Sequence, residues 1–229
     1  MDLSLIIPAY NEERRIRRVL DLYTAFLGKK YDFELIVVSE GNDNTASIVK
    51  AMMVNIPGIK ILEFTKRQGK GGAIIHGIKE SRSEIIGFVD ADESVSPSDF
   101  DKLIHSINGI DCAIASRRAK GARISARQPW KRRISSRVFN VFVNLLFGLG
   151  IKDTQCGAKV FKKSVIYPML PIMKTRGFEF DVELLWRLKK AGFTIKEVPI
   201  VWKHESGSTF SLKYSMMMFL NLLKLRFSL

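Results

Sequence analysis

Short apolar runs alternate with amphipathic segments along the first half of the chain. Residues 3–7 form an apolar run followed by Pro8, and residues 12–27 place apolar side chains at helical spacing before Gly28. The pattern continues with predicted strands at 33–38, 59–64, 84–89 and 111–115, and predicted helices at 45–54, 72–81 and 98–107. Because strands that are apolar throughout are buried on both faces, this pattern predicts an α/β fold with a mostly parallel sheet flanked by helices.

Polar residues follow several of the predicted strands. In an open parallel sheet, ligands bind at the carboxyl ends of the strands. Those ends carry Asn11 and Glu12, then residues 39–41, residues 66–72 and residues 90–92. The sequence therefore predicts a ligand site at this edge of the sheet.

The second half of the chain has a different character. Residues 117–137 include nine lysine and arginine residues and no acidic one. An apolar helix is predicted from Val138, followed by a loop around Cys156, a helix near 180–188 and a strand at 193–202. No repeat or flexible linker interrupts the pattern, so we expect a single domain over residues 1–229.

The charge balance narrows the partners of the protein. The 229 residues carry 37 basic and 23 acidic side chains, a formal net charge of +14. This surplus indicates an anionic partner such as nucleic acid, a phosphorylated ligand or a membrane surface, although a solvated basic surface has the same composition. We expect neither a transmembrane helix nor a secretory signal, and Cys112 and Cys156 are expected to be unpaired, as in a reducing cytosol.

Asp90 and Asp92 directly follow a predicted buried strand. Two carboxylates at this spacing suit a hard divalent cation such as Mg²⁺ or Mn²⁺. Such an ion would neutralise charge on a leaving diphosphate. Acidic residues are also common in turns, so their position after a buried strand is what favours a metal site.

A glycine-rich segment, residues 68–72, lies between a predicted strand and a predicted helix. Its backbone amides and the helix N-terminus would suit an anion, with Arg67 and Lys70 supplying positive charge. The spacing is not that of a Walker loop, and the alternative is a glycine-rich turn with solvated lysines.

Three polar residues after the first two strands have alternative interpretations. Asn11 is suited to cap the next helix, and Glu12 is suited to its first turn. Glu40 would accept a hydrogen bond from a ribose hydroxyl or a base edge, or it would cap the helix that begins near Thr45.

Taken together, the motifs resemble a known family. In the first half they are Pro8-Ala9-Tyr10-Asn11-Glu12, an acidic turn with Thr45, Gly69-Lys70-Gly71-Gly72-Ala73 and Asp90-Ala91-Asp92. In this order they resemble the family 2 inverting glycosyltransferases of the GT-A (Rossmann-like) fold.

The second half resembles one group within that family, the dolichyl-phosphate sugar synthases, and most closely their glucose branch. The motifs are Ala115-Ser116-Arg117, Arg132-Arg133-Ile134-Ser135-Ser136-Arg137 with Asn140, Asp153-Thr154-Gln155-Cys156-Gly157-Ala158-Lys159, Phe180-Asp181-Val182-Glu183-Leu184-Leu185, and Trp202 with Gly207-Ser208.

The resemblance implies a donor side in residues 1–116. The donor-binding residues would be Pro8, Tyr10, Glu12, Glu40, Lys70, Asp90 and Asp92. Asp90 and Asp92 would hold a Mg²⁺ or Mn²⁺ ion on the diphosphate of a nucleotide sugar. Mannose synthases commonly have a glutamine where this chain has Ser94, so UDP-glucose is favoured over GDP-mannose. The Ser39-Glu40-Gly41-Asn42 turn also departs from the two aspartates that are usual in the family.

The resemblance also implies an acceptor side in residues 117–210. Arg117 and Arg133 would bind the phosphate of dolichyl or another polyprenyl phosphate, with Ser136 close by. The apolar helix from Val138 would lie in the bilayer interface, and residues 211–229 would form an amphipathic C-terminal helix or one docked on a protein surface. We therefore expect a peripheral protein on an anionic membrane surface, at its cytoplasmic face.

A phosphate acceptor changes the chemistry that is required. A phosphate monoester has a second pKa of about 6 and is largely dianionic at neutral pH, so it needs no base. Asp92, Arg117 and Arg133 would then act by positioning and charge neutralisation. A saccharide hydroxyl acceptor would need a carboxylate base, for which Asp181 or Glu183 is the candidate. The structural alternative for Asp181 is a helix residue bonded to a nearby loop.

Three other functions remain as alternatives at this point. They are GDP-mannose-dependent transfer to dolichyl phosphate, transfer to a saccharide hydroxyl, and a non-catalytic basic protein that binds membrane or nucleic acid. Nucleic-acid binding predicts aromatic residues among the arginines, and residues 117–137 contain only Trp130. We therefore expect no nucleic-acid partner.

Overall fold

The computed structural model describes residues 2–125, 130–203 and 212–227, with the backbone alone for residues 130–133 and 212–216. Its main strands are β1 Leu3–Tyr10, β2 Phe33–Glu40, β3 Ile59–Phe64, β4 Ile85–Val89, β5 Cys112–Ser116, β7 Ala158–Lys162 and β8 Ile195–Pro199. They form a seven-stranded sheet in the order β3-β2-β1-β4-β7-β5-β8. All strand pairs are parallel except those of β7, which runs antiparallel to β4 and β5.

Helices cover both faces of this sheet. They are α1 Ile16–Leu27, α2 Thr45–Met53, α3 Gly69–Glu80, α4 Pro97–Ser106, α5 Trp130–Phe147, α6 Lys163–Ile166, α7 Phe180–Lys190 and α8 Leu212–Phe227, and a 3-10 helix spans Tyr167–Ile172. Helices α1, α2 and α4 share one hydrophobic core layer, and α3, α5, α7 and α8 share the other. The predicted α/β fold with a mostly parallel sheet is confirmed.

The alternation of side chains along a strand explains the run of consecutive apolar residues in the middle of β2. In β2, Leu35 and Val37 belong to the layer of α1, whereas Ile36 and Val38 belong to the layer of α3. Since both faces are covered, neither set can be polar.

The prediction that Pro8 ends the first strand is wrong. Strand β1 continues to Tyr10, and Pro8 pairs with Val38 of β2. On the other side of β1, pairing with β4 stops at Ile6. Pro8 therefore lies where β1 is paired on one side alone, a position at which a missing backbone N–H is tolerated.

Two errors affect the second half. Strand β7, which follows the expected loop around Cys156, was not predicted, because Lys159 interrupts a short apolar run although its side chain is fully buried. The strand expected at 193–202 is divided into β8 and a short strand, β9 Val201–Trp202. Strand β9 pairs with β6, Arg123–Ile124, outside the main sheet.

Helix α8 docks on the domain along one face. Met218, Leu222 and Leu225 are buried in the core layer, and the ring of Phe219 lies 4.2 Å from that of Phe142 on α5. This result supports the docked alternative for the C-terminal helix over residues 217–227. Among the residues that the structure describes, no helix has the length and apolarity needed to cross a membrane.

Candidate active site

A pocket opens at the carboxyl ends of β1, β2 and β4, where the start of α3 and Phe178 close it. Its lining residues are Pro8, Ala9, Tyr10, Glu12, Arg15, Glu40, Arg67, Gly69, Lys70, Ala73, Asp90, Ala91, Asp92 and Phe178. The pocket lies at the edge of the sheet that the sequence predicts, and it brings together all of the proposed donor-binding residues.

Asp90 and Asp92 lie on the turn after β4. The Asp90 backbone N–H donates to the carbonyl oxygen of Gly157 over 2.9 Å. A Cβ atom at Gly157 would lie 2.1 Å from Asp90 Oδ2, so a glycine is needed beside this carboxylate. Asp92 Oδ1 accepts a hydrogen bond from the backbone N–H of Ser94 over 3.0 Å. Asp90 is thus fixed by the start of β7, whereas Asp92 is held by its own turn.

Lys70 approaches the same carboxylates from the start of α3. Its Nζ atom lies 2.8 Å from Asp90 Oδ1 and 3.2 Å from Asp181 Oδ2, and its side chain is 10% exposed. Burial disfavours the charged lysine, but Asp181 and Asp90 together raise the pKa of Lys70 above its usual value. Lys70 is therefore a charged ammonium group at the inner wall of the pocket.

Two backbone amides of the glycine-rich segment are not available to an anion in the pocket. The N–H groups of Gly71 and Gly72 donate to the carbonyl oxygens of Gly177 (3.3 Å) and Arg176 (3.0 Å). These helix-terminal donors are therefore satisfied by the loop before α7. The alternative of solvated lysines is wrong at Lys70, because its ammonium group is buried in ion pairs.

Glu40 ends β2 and is 4% exposed. Burial raises the pKa of Glu40, although the backbone N–H groups of Gln68 and Gly69 donate to it. Among the described residues, no group donates to its buried Oε1 atom. An unpaired buried acceptor is costly, so an N–H or O–H group of a ligand in the pocket would complete it. The capping alternative for Glu40 is wrong, because the N–H of Thr45 donates to Asp43.

Tyr10 is the last residue of β1, and Asn11 begins the turn after it. The guanidinium group of Arg67 lies 4.1 Å from the centre of the Tyr10 ring. Asn11 adopts a positive φ of 54°, and its Oδ1 atom accepts a hydrogen bond from the backbone N–H of Asn42 over 3.0 Å. The prediction that Asn11 caps the first helix is wrong, because α1 begins at Ile16.

Glu12 lies before α1 rather than in its first turn. Its carboxylate pairs with Arg15 over 2.6 Å, and its backbone N–H donates to Thr45 Oγ1 over 2.8 Å. The pKa of Glu12 is raised to about 7, mainly by burial. Arg15 lowers this pKa, whereas repulsion from Asp92 and Asp90 raises it further.

The pocket brings four carboxylates close to three basic side chains in a molecule whose net charge is +14. Mg²⁺ is usually bound by one or two protein carboxylates together with the phosphates of a substrate. The Asp90 and Asp92 pair fits a divalent cation that binds with a diphosphate, and the Lys70 ammonium already occupies a cation position there. Within the described part of the chain, no three His, Cys, Asp or Glu side chains are grouped as a metal centre.

Arg117 and Arg118 follow β5 on the side of the pocket towards α5. The Arg117 guanidinium makes two hydrogen bonds to Asp153, of 2.8 and 2.7 Å, and lies 5.5 Å from the centre of the Trp202 ring. Arg117, which the resemblance assigns to an acceptor phosphate, is therefore paired with a buried carboxylate.

Arg118 is a residue that the sequence did not single out. Its Nη2 atom donates to Ser136 Oγ over 2.8 Å, and its Nη1 atom donates to the carbonyl oxygen of Lys152 over 2.9 Å. The one signal in the sequence was its place beside Arg117 in a basic run. The side chain of Arg133 on α5 lies outside the described residues, as do Gly207 and Ser208.

Asp181 is bonded differently from the expected contact with a loop. Its Oδ1 atom accepts a hydrogen bond from Lys159 Nζ over 2.5 Å, and its Oδ2 atom faces Lys70. Burial disfavours ionisation, but Lys159 and Lys70 hold the pKa of Asp181 below its usual value. Lys159, which was missed as a site residue, also donates to the carbonyl oxygen of Cys156 over 3.0 Å.

The mostly parallel seven-stranded sheet, with a pair of carboxylates after β4, has the GT-A fold. Among solved structures, glucosyl-3-phosphoglycerate synthase from Mycobacterium tuberculosis, in complex with Mn²⁺, uridine diphosphate and phosphoglyceric acid, superposes with a TM-score of 0.75. The match covers 98% of this chain and 78% of that one at 20% identity, and it shows the shared fold.

Sequence comparison gives the family. The glycosyl transferase family 2 model matches residues 4–169, and the chain belongs to that family. It is 34% identical to the dolichyl-phosphate beta-glucosyltransferase of Dictyostelium discoideum, over 90% of this chain and 68% of that protein. It is 33% identical to the protein of the same name from Saccharomyces cerevisiae, over 92% of this chain and 69% of the relative.

Proposed function

We propose that this glycosyltransferase transfers glucose from UDP-glucose to dolichyl or another polyprenyl phosphate, with inversion at the anomeric carbon. The names of its relatives support the sugar and the acceptor. Residues 1–116 would mainly bind the donor, residues 117–210 the acceptor, and residues 211–229 would form the C-terminal helix.

The observation that carries the proposal is the short segment 153–157, which joins the acidic pocket to the basic side of the molecule. At one end, the carbonyl oxygen of Gly157 accepts the N–H of Asp90. At the other, Asp153 holds Arg117, and Thr154 Oγ1 donates to Asn140 on α5 over 3.2 Å. A donor diphosphate at the carboxylates and an anionic acceptor beside α5 would therefore be neighbours.

On the donor side, Pro8, Tyr10 and Glu12 would line the nucleoside pocket, and Glu40 Oε1 would accept a hydrogen bond from the nucleoside. Asp90 and Asp92 would hold a Mg²⁺ or Mn²⁺ ion. When bound, this ion would neutralise charge on the diphosphate.

On the acceptor side, an oxygen of the lipid phosphate would attack the anomeric carbon as the bond from that carbon to the diphosphate breaks. The leaving UDP keeps the electron pair, and no proton has to be removed because the phosphate is already an anion. A reaction without a general base agrees with the contacts of Asp181, since both of its carboxylate oxygens are paired with lysine ammonium groups. Arg133 and Arg117, with Ser136, would orient the lipid phosphate.

The acceptor would be reached at a membrane surface. Helix α5 exposes an apolar stripe, here called the α5 stripe, at a spacing of four, three and four residues. Its members are Ile134 (50% exposed), Val138 (63%), Val141 (59%) and Leu145 (82%). Arg137 is exposed beside it. An apolar face with flanking basic residues suits peripheral binding to anionic lipids, which we place at the cytoplasmic face of the membrane.

The direct test offers labelled UDP-glucose and GDP-mannose, in parallel, to the purified protein with dolichyl phosphate and Mn²⁺. We expect label from UDP-glucose alone to enter the organic phase, and EDTA to prevent this. Label from GDP-mannose alone would replace the proposed donor. Binding of UDP without transfer from either donor would instead point to a different sugar or to a hydroxyl acceptor.

A second experiment separates the two sides of the site. Arg133→Ala should raise the KM for dolichyl phosphate at least tenfold and leave the KM for UDP-glucose within about twofold, because it would remove a phosphate contact worth about 1.5–3 kcal/mol. Lys120→Ala, an exposed basic residue of the same segment, is the matched control. Equal losses for both substrates would mean that the donor and acceptor sides are wrongly assigned.

A further inference from the structure

Four charged side chains alternate in sign from the pocket into the core. Asp90 is paired with Lys70, Lys70 with Asp181, and Asp181 with Lys159. The exposed fraction of the side chain falls from 30% at Asp90 to 10% at Lys70, 2% at Asp181 and 0% at Lys159. The chain therefore begins at a solvent-accessible carboxylate and ends at a fully buried ammonium group.

Lys70 covers both oxygens of Asp90. Its Nζ atom lies 2.8 Å from Oδ1 and 3.1 Å from Oδ2. The backbone of Gly157 packs against Oδ2 so closely that a Cβ atom there would lie 2.1 Å from it. Since backbone closes one side of the carboxylate, a cation that binds Asp90 meets the Lys70 ammonium group.

Lys70 would keep a partner if it left Asp90. Asp181 Oδ2 lies 3.2 Å from Nζ, and Asp181 is itself held by Lys159 and buried on α7. The Phe88 ring lies below both lysines, 5.8 Å from Lys70 Nζ and 5.3 Å from Lys159 Nζ. The ammonium group could therefore turn from Asp90 towards the pocket without losing its buried anchor.

We propose that Lys70 is an exchangeable counterion. It neutralises Asp90 while the pocket is empty, and it yields this carboxylate to the divalent cation and moves to the donor diphosphate when both enter. This inference rests on the proposed function, because it requires a metal ion at Asp90 and Asp92. Its consequence is cooperative binding: the metal ion binds weakly alone and tightly with the nucleotide, since the diphosphate gives the displaced ammonium group a new partner.

The test measures Mn²⁺ binding by electron paramagnetic resonance of the free ion, with no nucleotide present. Lys70→Met removes the competing charge and should bind Mn²⁺ at least tenfold more tightly than the unaltered protein. Lys70→Arg keeps a competing cation and should stay within about threefold. Lys50→Met, which removes a lysine from a surface ion pair with Glu63, is the matched control and should cause no change.

Lys70→Gln is the second variant, because its amide can still donate to Asp90 and Asp181 if the methionine variant fails to fold. Unchanged or weaker Mn²⁺ binding in a folded, uncharged variant would overturn the inference. If the unaltered protein binds Mn²⁺ with UDP and transfers glucose while the variants bind no more tightly, the inference alone fails. If the unaltered protein binds no Mn²⁺ even in the presence of UDP, the metal site of the proposed function is also wrong.

Discussion

The carboxylates of the pocket influence one another's pKa values, although three basic side chains line the same pocket. Glu12 has Arg15 as its ion-pair partner, and Asp90 has Lys70. Asp92 raises the pKa of both acidic neighbours. The pKa of each carboxyl group therefore depends on how many neighbouring carboxylates repel its charged form, so removing one carboxylate should lower the pKa of the others.

Glu12 gives a prediction for the pH dependence of stability. Its folded pKa of about 7 is above its ordinary value of 4.5, so the folded protein binds this proton more tightly than the unfolded chain does. The stabilisation is complete below pH 4.5 and is lost as the pH rises through about 7. In Glu12→Gln, the fall in Tm between pH 5 and pH 8 should be smaller by several degrees.

Thermal melts across this range, without metal ion or nucleotide, test the effect of Glu12. Glu63→Gln is the control, because Glu63 is about half exposed and pairs with a surface lysine. An unaltered pH slope in Glu12→Gln would show that another group is responsible.

Asp92 gives a prediction about activity. Its side chain accepts one hydrogen bond within its own turn, which asparagine can also accept. Asp92→Asn should therefore leave Tm within about 2 °C, yet lower glucose transfer at least 100-fold, on the scale of one lost electrostatic contact in a transition state. Asp21→Asn on the exposed side of α1 is the control. Near-normal turnover would contradict the metal assignment.

At the scale of helices and strands, the local pattern predicts most of the sheet but not the contacts between distant segments. Strand β3 and the start of α2 have the predicted bounds. Strand β7 was missed, because Lys159 is charged and its partner Asp181 lies 22 residues further along the chain. A short apolar run is enough to predict a buried strand. A buried charged residue needs an ion-pair partner, and the tertiary fold decides which residue that is.

The same limit applies to the site. The motif positions predicted which residues line the pocket, because strand ends meet at one edge of a parallel sheet. The function of the glycines was not predictable, since the carbonyl groups that approach Gly71 and Gly72 come from residues 176 and 177. The pairing of Arg117 with Asp153 was not predictable either, because the two residues are distant in the sequence.

The packing of α3 against α7 gives a prediction about stability. A Cβ atom at Gly71 would lie 2.4 Å from Phe180 Cβ, whereas one at Gly72 would lie 3.0 Å from Gln68 Cβ, a contact that a movement of a few tenths of an ångström relieves. Overpacking costs about 1–3 kcal/mol, and alanine regains up to about 1 kcal/mol of helix propensity. Gly71→Ala should lower Tm by several degrees, and Gly72→Ala should change it little. Equal Tm values would refute the close contact.

At the scale of the whole molecule, charge and apolar surface are unevenly distributed. Four carboxylates line the pocket, whereas the exposed α5 stripe and its neighbouring basic residues lie on the side proposed for the acceptor. This separation suits a protein that takes one substrate from solution and the other from a membrane, because each side meets a different environment.

The α5 stripe gives a prediction about membrane binding. The double variant Val138→Asn, Leu145→Asn should reduce sedimentation with phosphatidylserine-containing vesicles at least tenfold, because each buried CH₂ contributes about 0.8 kcal/mol. Binding of UDP should be unaffected. Val54→Asn, which alters an 83% exposed apolar residue after α2, is the matched control. If the double variant sediments like the unaltered protein, the stripe does not bind the bilayer.

The antiparallel strand β7 also has a consequence for the growing chain on the ribosome. Strand β5 is buried along its whole length, and its neighbours in the sheet are β7 and β8, which are made later. At roughly 5–20 residues per second, several seconds of synthesis separate β5 from β7. During that interval β4 has an unpaired edge in the nascent protein, and the apolar strand β5 has no strand to pair with. Both are surfaces to which a chaperone would bind.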